Sequence, residues 1–311
     1  MSGAGIPIGL DEVRAAATVI AAHVKRTPVV KSEDINERLG AECALKLENL
    51  QAARAFKSRG ACNVVFSLSE DQAPCGVVTH SSGNHAAALA RAAQRRGIPC
   101  YVVMPEDAPP VKVENCRSFG AQITFCEPTL AARETTAEKV RNETGATLVH
   151  PYNDWRIIAG AATCALEFLE EVPGIELLVT PVGGGGLLSG TAIVATAQPT
   201  PVTVWGAEPL SADDAWQSKR AGQIVPQWAP TTRADGLRTS LGERTWQVID
   251  SRVERVILAA ETRTAQWTER LRELTKSPIE FSSAVPLAAL EEIKSHIQGR
   301  RIGIILSGGN V

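Results

Sequence analysis

Residues 76–105 read GVVTHSSGNHAAALARAAQRRGIPCYVVMP, and their pattern indicates the fold class. A short apolar run ends in the small polar turn 81–84, a helix pattern follows over 85–96, and Gly97 stops that helix before the next apolar run. The alternation continues to residue 209 and returns at 301–307. Near-continuous apolar strands between helices are typical of parallel sheets. The pattern therefore predicts an α/β protein with open, mostly parallel sheets flanked by helices.

The same pattern gives bounds for the individual elements. Strands are predicted at 44–47, 76–80, 99–105, 121–127, 146–152, 176–182, 202–209 and 301–307. Helices are predicted at 33–39, 85–96, 111–119, 130–144, 158–172 and 187–197. The block 76–153 holds a complete set of strand–helix units, so we predict a small domain at 76–153, inserted between 1–75 and 154–311 of a larger domain.

Length and composition agree with this picture and exclude several classes of protein. A chain of 311 residues corresponds to two domains of ~150 residues. Its 32 basic and 34 acidic residues and its 5% aromatic content disfavour nucleic acid as a partner. No apolar run reaches the ~18 residues of a membrane span. The seven scattered cysteines are typical of reduced thiols, so the sequence predicts a cytoplasmic protein.

Three small-residue turns follow predicted strands, namely SSGN at 81–84, GGGG at 183–186 and SGGN at 307–310. In open α/β sheets, ligands bind beyond the carboxyl ends of the strands. Four glycines before a helix expose backbone N–H groups, which can hold a phosphate. The spacing fits neither a P-loop nor the dinucleotide motif GxGxxG. The phosphate then belongs to another kind of molecule, although a glycine turn without a ligand remains the alternative.

One lysine is a candidate for covalent chemistry. Lys57 lies in AARAFKSRGA, between Phe56 and small residues. Partial burial there would favour the neutral amine and Schiff-base chemistry. A surface lysine is the alternative when the residue is considered by itself.

Taken together, four motifs resemble the fold type II pyridoxal-phosphate enzymes, whose fold is like that of the tryptophan synthase β subunit. The motifs are ENLQ-x4-FKSRGA at 48–61, SSGNHAAALA at 81–90, PVGGGGLLSG at 181–190 and LSGGN at 306–310. The segments AEPLSADDAWQSK (207–219) and ADGLRTSLGERTW (234–246) are similar to the serine racemase and threonine/serine dehydratase branch, which includes threo-3-hydroxyaspartate dehydratases. The resemblance runs from about residue 10 to the last residue. It implies that 1–75 and 154–311 form a large cofactor-binding domain and that 76–153 is a small substrate-gating domain.

The resemblance implies a role for each matching residue. Lys57 would bind pyridoxal 5′-phosphate as a Schiff base and act as the catalytic base. The other cofactor-binding positions would be Phe56 beside the ring, Asn84 at its 3-hydroxyl, Ser307 at its nitrogen, and Gly183, Gly184, Gly185, Gly186 and Leu187 at the phosphate. The substrate would contact Ser81, Ser82, Gly83, Asn84, His85, Arg133 and Asp235. Ser82 matches the acid/base of the racemases; binding of the substrate carboxylate alone is the other interpretation.

The resemblance also implies a divalent-cation site. Glu208, the carbonyl of Ala212 and Asp214 match the positions that hold the cation in serine racemase-like members. Oxygen ligands suit Mg²⁺ or Ca²⁺. Two unrelated carboxylates six residues apart are the alternative.

Two departures from the family pattern concern the substrate rather than the cofactor. The usual Thr-Gly-Ser before Phe-Lys is replaced by Ala53-Arg54-Ala55, and the usual Glu-Pro is Glu280-Phe281. Arg54 could contact a substrate anion, the cofactor region or solvent.

The family resemblance implies a dehydratase that converts a 3-hydroxy amino acid to a 2-oxo acid and ammonia. The candidate substrates are threonine, serine, 3-hydroxyaspartate or a larger analogue. The alternatives are an amino-acid racemase, a pyridoxal-phosphate-binding protein with little catalysis and, more remotely, a Rossmann-type oxidoreductase. The family resemblance also implies a homodimer.

Overall fold

The computed structural model describes residues 5–311, and its larger sheet has six strands. The strands are β1 (Val29–Lys31), β2 (Glu42–Leu47), β7 (Leu177–Pro181), β8 (Thr203–Pro209), β9 (Arg255–Ala259) and β10 (Arg301–Leu306). Their order is β1-β2-β10-β7-β8-β9; β1 runs antiparallel to β2, and the other pairs are parallel. The predicted α/β class with mostly parallel sheets is confirmed.

The second sheet has four parallel strands in the order β5-β4-β3-β6. They are β3 (Val77–His80), β4 (Cys100–Pro105), β5 (Gln122–Cys126) and β6 (Thr147–Leu148). All four lie inside the block predicted as a small domain. The division of the chain into 1–75 with 154–311 and 76–153 stays a prediction, which this grouping of strands supports.

Twelve α-helices are present among the residues described. They are α1 (Leu10–Ile20), α2 (Glu33–Leu39), α3 (Lys57–Phe66), α4 (Asn84–Arg96), α5 (Pro110–Ser118), α6 (Leu130–Thr144), α7 (Trp155–Glu171), α8 (Gly186–Thr196), α9 (Asp214–Ala221), α10 (Glu243–Arg252), α11 (Glu261–Thr275) and α12 (Phe281–Glu292). From Gly5 to Val311, none of these helices is both long and apolar enough to cross a bilayer.

The helices cover both faces of the six-stranded sheet because its strands are apolar on both sides. Successive residues of β7 point to opposite cores: Leu178 packs with α7 and α8, whereas Leu177 and Val179 pack with α2, α11 and α12. A third core joins α3 to α4 and the four-stranded sheet. The helix that begins at Lys57 therefore lies where the two sheets meet.

Most predicted elements are present, but the predicted strand at 146–152 is wrong beyond Leu148. The N–H groups of Tyr152 and Asn153 donate to Nδ1 of His150, at 3.3 and 2.9 Å, so the backbone turns away from β3. Pro151 has no N–H to give to a strand ladder. The turn carries Pro151 and Tyr152 towards the carboxyl ends of the larger sheet's strands, where the candidate site lies.

Candidate functional site

A cavity of about 320 Å³ opens at the carboxyl ends of β3, β7 and β10. It brings together every predicted cofactor and substrate residue: Phe56, Lys57, Ser81, Ser82, Gly83, Asn84, His85, Arg133, Gly183, Gly184, Gly185, Gly186, Leu187, Asp235 and Ser307. The predicted metal residues do not line it. This placement is the one expected for a ligand site in open parallel sheets.

Lys57 is the first residue of α3, and its amine faces this cavity. Its Nζ atom donates a hydrogen bond of 2.9 Å to the carbonyl oxygen of Pro151 and lies 5.1 Å from the centre of the Phe56 ring. Burial lowers the pKa of Lys57 to about 8. The amine is therefore neutral in an appreciable fraction of molecules near neutral pH, as a nucleophile or a base must be.

A buried ion network fixes the start of α3. Arg59, two residues after Lys57, donates hydrogen bonds to Glu48 at 2.8 Å and to Glu167 at 2.7 Å, and its side chain is fully buried. Burial alone would raise the pKa of Glu48, but the charge and hydrogen bonds of Arg59 hold it below the ordinary value. Because α3, α7 and the segment after β2 share these ions, Lys57 is held in a rigid frame.

The glycine loop between β7 and α8 presents five buried N–H groups. Within residues 5–311, the N–H groups of Gly183 to Leu187 donate to no protein acceptor. A Cβ at Gly184 would lie 2.3 Å from Cδ1 of Tyr152, and Gly185 has a φ of +87°, so neither position accepts a larger side chain. Unpartnered N–H groups at a helix N-terminus fit a phosphate group.

The Ser81–Asn84 turn places small polar groups at the start of α4. The Ser81 hydroxyl accepts a hydrogen bond from the Gly83 N–H at 3.3 Å. Among the residues described, the Ser82 hydroxyl has no hydrogen-bond partner. The Asn84 amide binds the Glu280 carboxylate through its nitrogen and Asn310 through its oxygen. Ser82 is thus free to contact a ligand, whereas Asn84 is already oriented.

Ser307 follows the last residue of β10 in the larger sheet and is buried. Its hydroxyl lies 3.2 Å from that of Ser283 on α12, and its carbonyl oxygen accepts the Phe56 N–H. A neutral hydroxyl at this place can donate a hydrogen bond to a pyridine nitrogen, but it cannot keep that nitrogen protonated as a carboxylate would.

Charged side chains occupy the other side of the cavity. Arg133 lies on α6, where its Nε donates a 3.4 Å hydrogen bond to the Thr129 carbonyl oxygen. Lys112 of α5 forms an ion pair with Asp235, which lies between α9 and α10. This ion pair links the two segments across the cavity. Arg54 does not line the cavity: its side chain is exposed and has no partner within the described chain. Of the three surroundings considered for Arg54, namely a substrate anion, the cofactor region and solvent, the structure shows solvent.

Three of the five histidines gather near Lys57. His85 is buried, and neither of its ring nitrogens has a protein partner in the part of the chain described. Burial and the Lys57 charge place the pKa of His85 well below its ordinary value, and burial also lowers the pKa of His80 and of His150, the latter to about 3. The imidazoles are therefore neutral, and they add no cation to the site.

The predicted metal residues form a separate buried pair. Glu208 accepts the N–H groups of Ala215 and Trp216, and Oδ2 of Asp214 accepts that of Leu241, but Oδ1 of Asp214 has no partner. Burial raises the pKa of Asp214 to about 7, and burial with the Asp214 charge raises that of Glu208 well above its ordinary value. Between Gly5 and Val311, no group of three His, Cys, Asp or Glu side chains could hold a metal. A cation here would need backbone carbonyls or water.

Sequence reasoning missed several residues of the cavity, among them Tyr152, Glu280 and Lys112. Tyr152 ends the predicted strand at 146–152, so a search at the ends of all strands would have found it. Glu280 precedes α12, and its motif was noted only as a departure from the family. Lys112 lies in a surface helix and gives no signal in the sequence.

Comparison with known proteins gives one family and several relatives of similar length. The family model for "Pyridoxal-phosphate dependent enzyme" matches residues 20–308. The beta-hydroxyaspartate dehydratase of Paracoccus denitrificans (strain Pd 1222) is 44% identical over 97% of this chain and 96% of its own. The serine racemase of Arabidopsis thaliana is 46% identical over 93% of this chain and 89% of its own.

The solved structures agree with the sequence comparison. The structure of a threonine deaminase from T.th. has a TM-score of 0.92 and 39% identity, and the match covers 98% of this chain and 99% of the other. The likeness therefore extends over both sheets.

Proposed function

Because the chain belongs to the pyridoxal-phosphate dependent enzyme family, we propose that this enzyme eliminates water from a 3-hydroxy amino acid, which yields a 2-oxo acid and ammonia. The single observation that carries the proposal is the cavity that joins the Lys57 amine, the glycine loop and the Ser81–Asn84 turn. The names of the relatives at 44% and 39% identity, a dehydratase and a deaminase, support elimination.

The residues fit the cofactor at each end. Gly183 to Leu187 would hold its phosphate, Lys57 its aldehyde carbon, Asn84 its ring oxygen, and Ser307 its ring nitrogen. When bound, the cofactor supplies an electron sink for the α-carbon of the substrate. Phe56 lines the cavity beside the lysine.

Lys57 then serves as the base. Its Nζ atom, with a pKa of about 8, can accept the α-proton of the substrate near neutral pH. The Pro151 carbonyl oxygen is in place to accept a hydrogen bond from the resulting ammonium group. The 3-hydroxyl leaves as water by taking up one proton, which balances the α-proton accepted by Lys57, and an enamine remains. The enamine becomes an imine, which reacts with water to give the 2-oxo acid and ammonia.

The substrate's carboxylate would bind at the Ser81–Asn84 turn. The backbone N–H groups at the start of α4 and the free Ser82 hydroxyl are suitable donors for a carboxylate. His85 and Asp235 complete the surroundings of the substrate.

The substituent on the 3-carbon would face Arg133 and Lys112. Lys112 is already paired with Asp235, whereas Arg133 forms no ion pair among the residues described and is available to a second carboxylate, so we propose 3-hydroxyaspartate as the preferred substrate over serine or threonine. The name of the relative from Paracoccus denitrificans points the same way.

Racemisation is the second candidate activity. Ser82 lines the cavity without a hydrogen-bond partner of its own among residues 5–311, so its hydroxyl is available to move a proton. The relatives named serine racemase support this alternative. We propose it as a side activity at the same site.

Three further features belong to the proposal. Glu208, Ala212 and Asp214 would hold Mg²⁺ or Ca²⁺ near the end of β8, and the unpartnered Oδ1 of Asp214 supports this. The resemblance supports a homodimer, which sedimentation would test. The reduced cysteines, all seven of them free, are compatible with a cytoplasmic enzyme.

A panel of 3-hydroxy amino acids of both configurations tests the proposed function. The purified enzyme with pyridoxal phosphate should release a 2-oxo acid from at least one of them, and fastest from a 3-hydroxyaspartate. Lys57→Ala should release none, while the matched control Lys31→Ala, at an exposed lysine, should equal the wild type. Absence of 2-oxo acid from the entire panel would overturn the proposal.

A further inference from the structure

A buried carboxylate accepts hydrogen bonds from the Asn84 amide. Glu280 precedes α12 and is only 5% exposed. The Nδ2 atom of Asn84 donates to both carboxylate oxygens of Glu280, at 2.8 and 3.0 Å. The Asn310 N–H donates to the same carboxylate at 2.9 Å. Glu280 is thus an acceptor for two donors from separate segments of the chain.

The orientation of the Asn84 amide is set from both ends. Its oxygen accepts a 2.9 Å hydrogen bond from Nδ2 of Asn310, and its nitrogen donates to Glu280. The Asn310 amide is fixed in turn, because its nitrogen also donates to the Ala53 carbonyl oxygen at 2.9 Å. A rotated Asn84 amide would place two NH₂ groups together and an oxygen against the carboxylate.

One N–H of Asn84 remains available after these contacts. The two contacts of Nδ2 run to the two oxygens of one carboxylate, which a single shared hydrogen can serve. Asn84 also lines the cavity, so its other hydrogen is available to a ligand there.

We propose that Glu280 is a positioning residue of the cofactor site: its carboxylate fixes the Asn84 amide so that the second N–H donates to the ring oxygen of pyridoxal phosphate. This inference rests on the proposed role of Asn84. Glu280 need not contact the substrate. Its carboxylate acts by accepting a hydrogen bond from Asn84, and not by filling space.

The surroundings of Glu280 leave its carboxylate mostly ionised at pH 8, the pH of the test described below. Burial raises its pKa to about 7, and the hydrogen bonds from Asn84 and Asn310 oppose that rise. The charged groups that face it are Lys112 and Asp235 from the main cavity, and Arg233, Glu269 and Arg272 from a smaller cavity behind it. At pH 8 the carboxylate is therefore mostly ionised.

A double-mutant cycle at pH 8 tests the inference. The apoprotein is titrated with pyridoxal phosphate, and the dissociation constant and the position of the visible absorbance band are recorded for Glu280→Gln, Asn84→Ala and the double variant. We expect Glu280→Gln to weaken binding about tenfold, the size of one charge-assisted hydrogen bond, and to shift the band in the same direction as Asn84→Ala. The double variant should bind as Asn84→Ala does.

Two further variants distinguish a positioning role of Glu280 from a general loss of folded structure. Glu280→Asp keeps the charge and both acceptor oxygens, whereas glutamine keeps only one acceptor oxygen, so the aspartate variant should recover part of the affinity. If the glutamine variant does not fold, the same cycle is run with the aspartate variant. Glu37→Gln removes an exposed glutamate that has no partner in residues 5–311, and it should match the wild type.

The outcomes are distinguishable. Additive losses in the double variant, or wild-type affinity in Glu280→Gln, would overturn the role of Glu280 and leave the proposed function intact. A wild-type protein that gives no visible band with pyridoxal phosphate would overturn both.

Discussion

The amine of Lys57 and the carbonyl oxygen of Pro151 are joined by a 2.9 Å hydrogen bond. The two residues belong to different parts of the architecture: Lys57 begins α3, and Pro151 follows β6 of the four-stranded sheet. The hydrogen bond therefore holds the reactive amine at the junction of the two sheets, next to the glycine loop. This contact and the low pKa of the amine support the proposal that one lysine serves both as the covalent anchor and as the base.

The first prediction concerns the protonation of Lys57. Because burial lowers its pKa to about 8, the apoprotein should capture pyridoxal phosphate with a rate that rises with pH and levels off above a midpoint near 8. The deprotonated amine is the reacting form, so the rate must rise with pH, not fall. Stopped-flow recording of the visible band measures it. A midpoint of about 10 or higher, the ordinary range of a lysine, would mean that the amine is solvated.

The second prediction concerns the buried carboxylates Glu208 and Asp214. A bound divalent cation would relieve their mutual repulsion, so Mg²⁺ or Ca²⁺ should raise the free energy of unfolding of the wild type by about 1 kcal/mol or more. That corresponds to a rise of about 2 °C in Tm. EDTA should reverse the rise, and Asp214→Asn should show none. Equal Tm values with EDTA and with the cation would contradict a metal site.

The third prediction separates the two activities at Ser82. Elimination needs one proton removed, for which Lys57 suffices, whereas racemisation needs a second acid/base group. Ser82→Ala should lower racemisation by about 100-fold or more and elimination from the preferred enantiomer much less. Both rates are measured on the same variant. Equal losses would identify Ser82 as a binding residue only.

The fourth prediction concerns Arg133 and the second carboxylate. Arg133→Gln should lower kcat/KM for 3-hydroxyaspartate by about 10- to 100-fold and leave that for serine nearly unchanged, because serine has no charge at this position. Arg141→Gln, on the same helix but exposed and paired only with Glu138 among the residues described, is the control. If both substrates lose equally, Arg133 does not read the second carboxylate.

The sequence predicted the strands well because most are buried on both faces. Val77, Val78, Leu177 and Leu178 are fully buried, and such apolar runs between helices have few other interpretations. The predicted cofactor and substrate residues also meet in one cavity, since turns at the carboxyl ends of parallel strands share an edge of the sheet.

The helix α3 shows why other elements were missed. It buries Ser58, Arg59 and Asn63, so it lacks the apolar stripe that marks a helix in sequence. Arg59 is tolerated there only because Glu48 and Glu167 approach it, and those partners come from 11 and 108 positions away. Contacts of that range are set by the tertiary fold and leave no local pattern.

Glu280 was missed for the same reason. Its partners Asn84 and Asn310 lie 196 and 30 residues away, and only the folded chain brings them together. Local propensity describes single elements, whereas a polar network of this kind depends on the meeting of three chain segments.

The most direct test of the proposed elimination follows the fate of one substrate. With 3-hydroxyaspartate, pyridoxal phosphate and the wild-type enzyme, we predict equal amounts of a 2-oxo acid and ammonia, and neither product with Lys57→Ala. Inversion of the α-carbon without either product would contradict the account and identify the enzyme as a racemase.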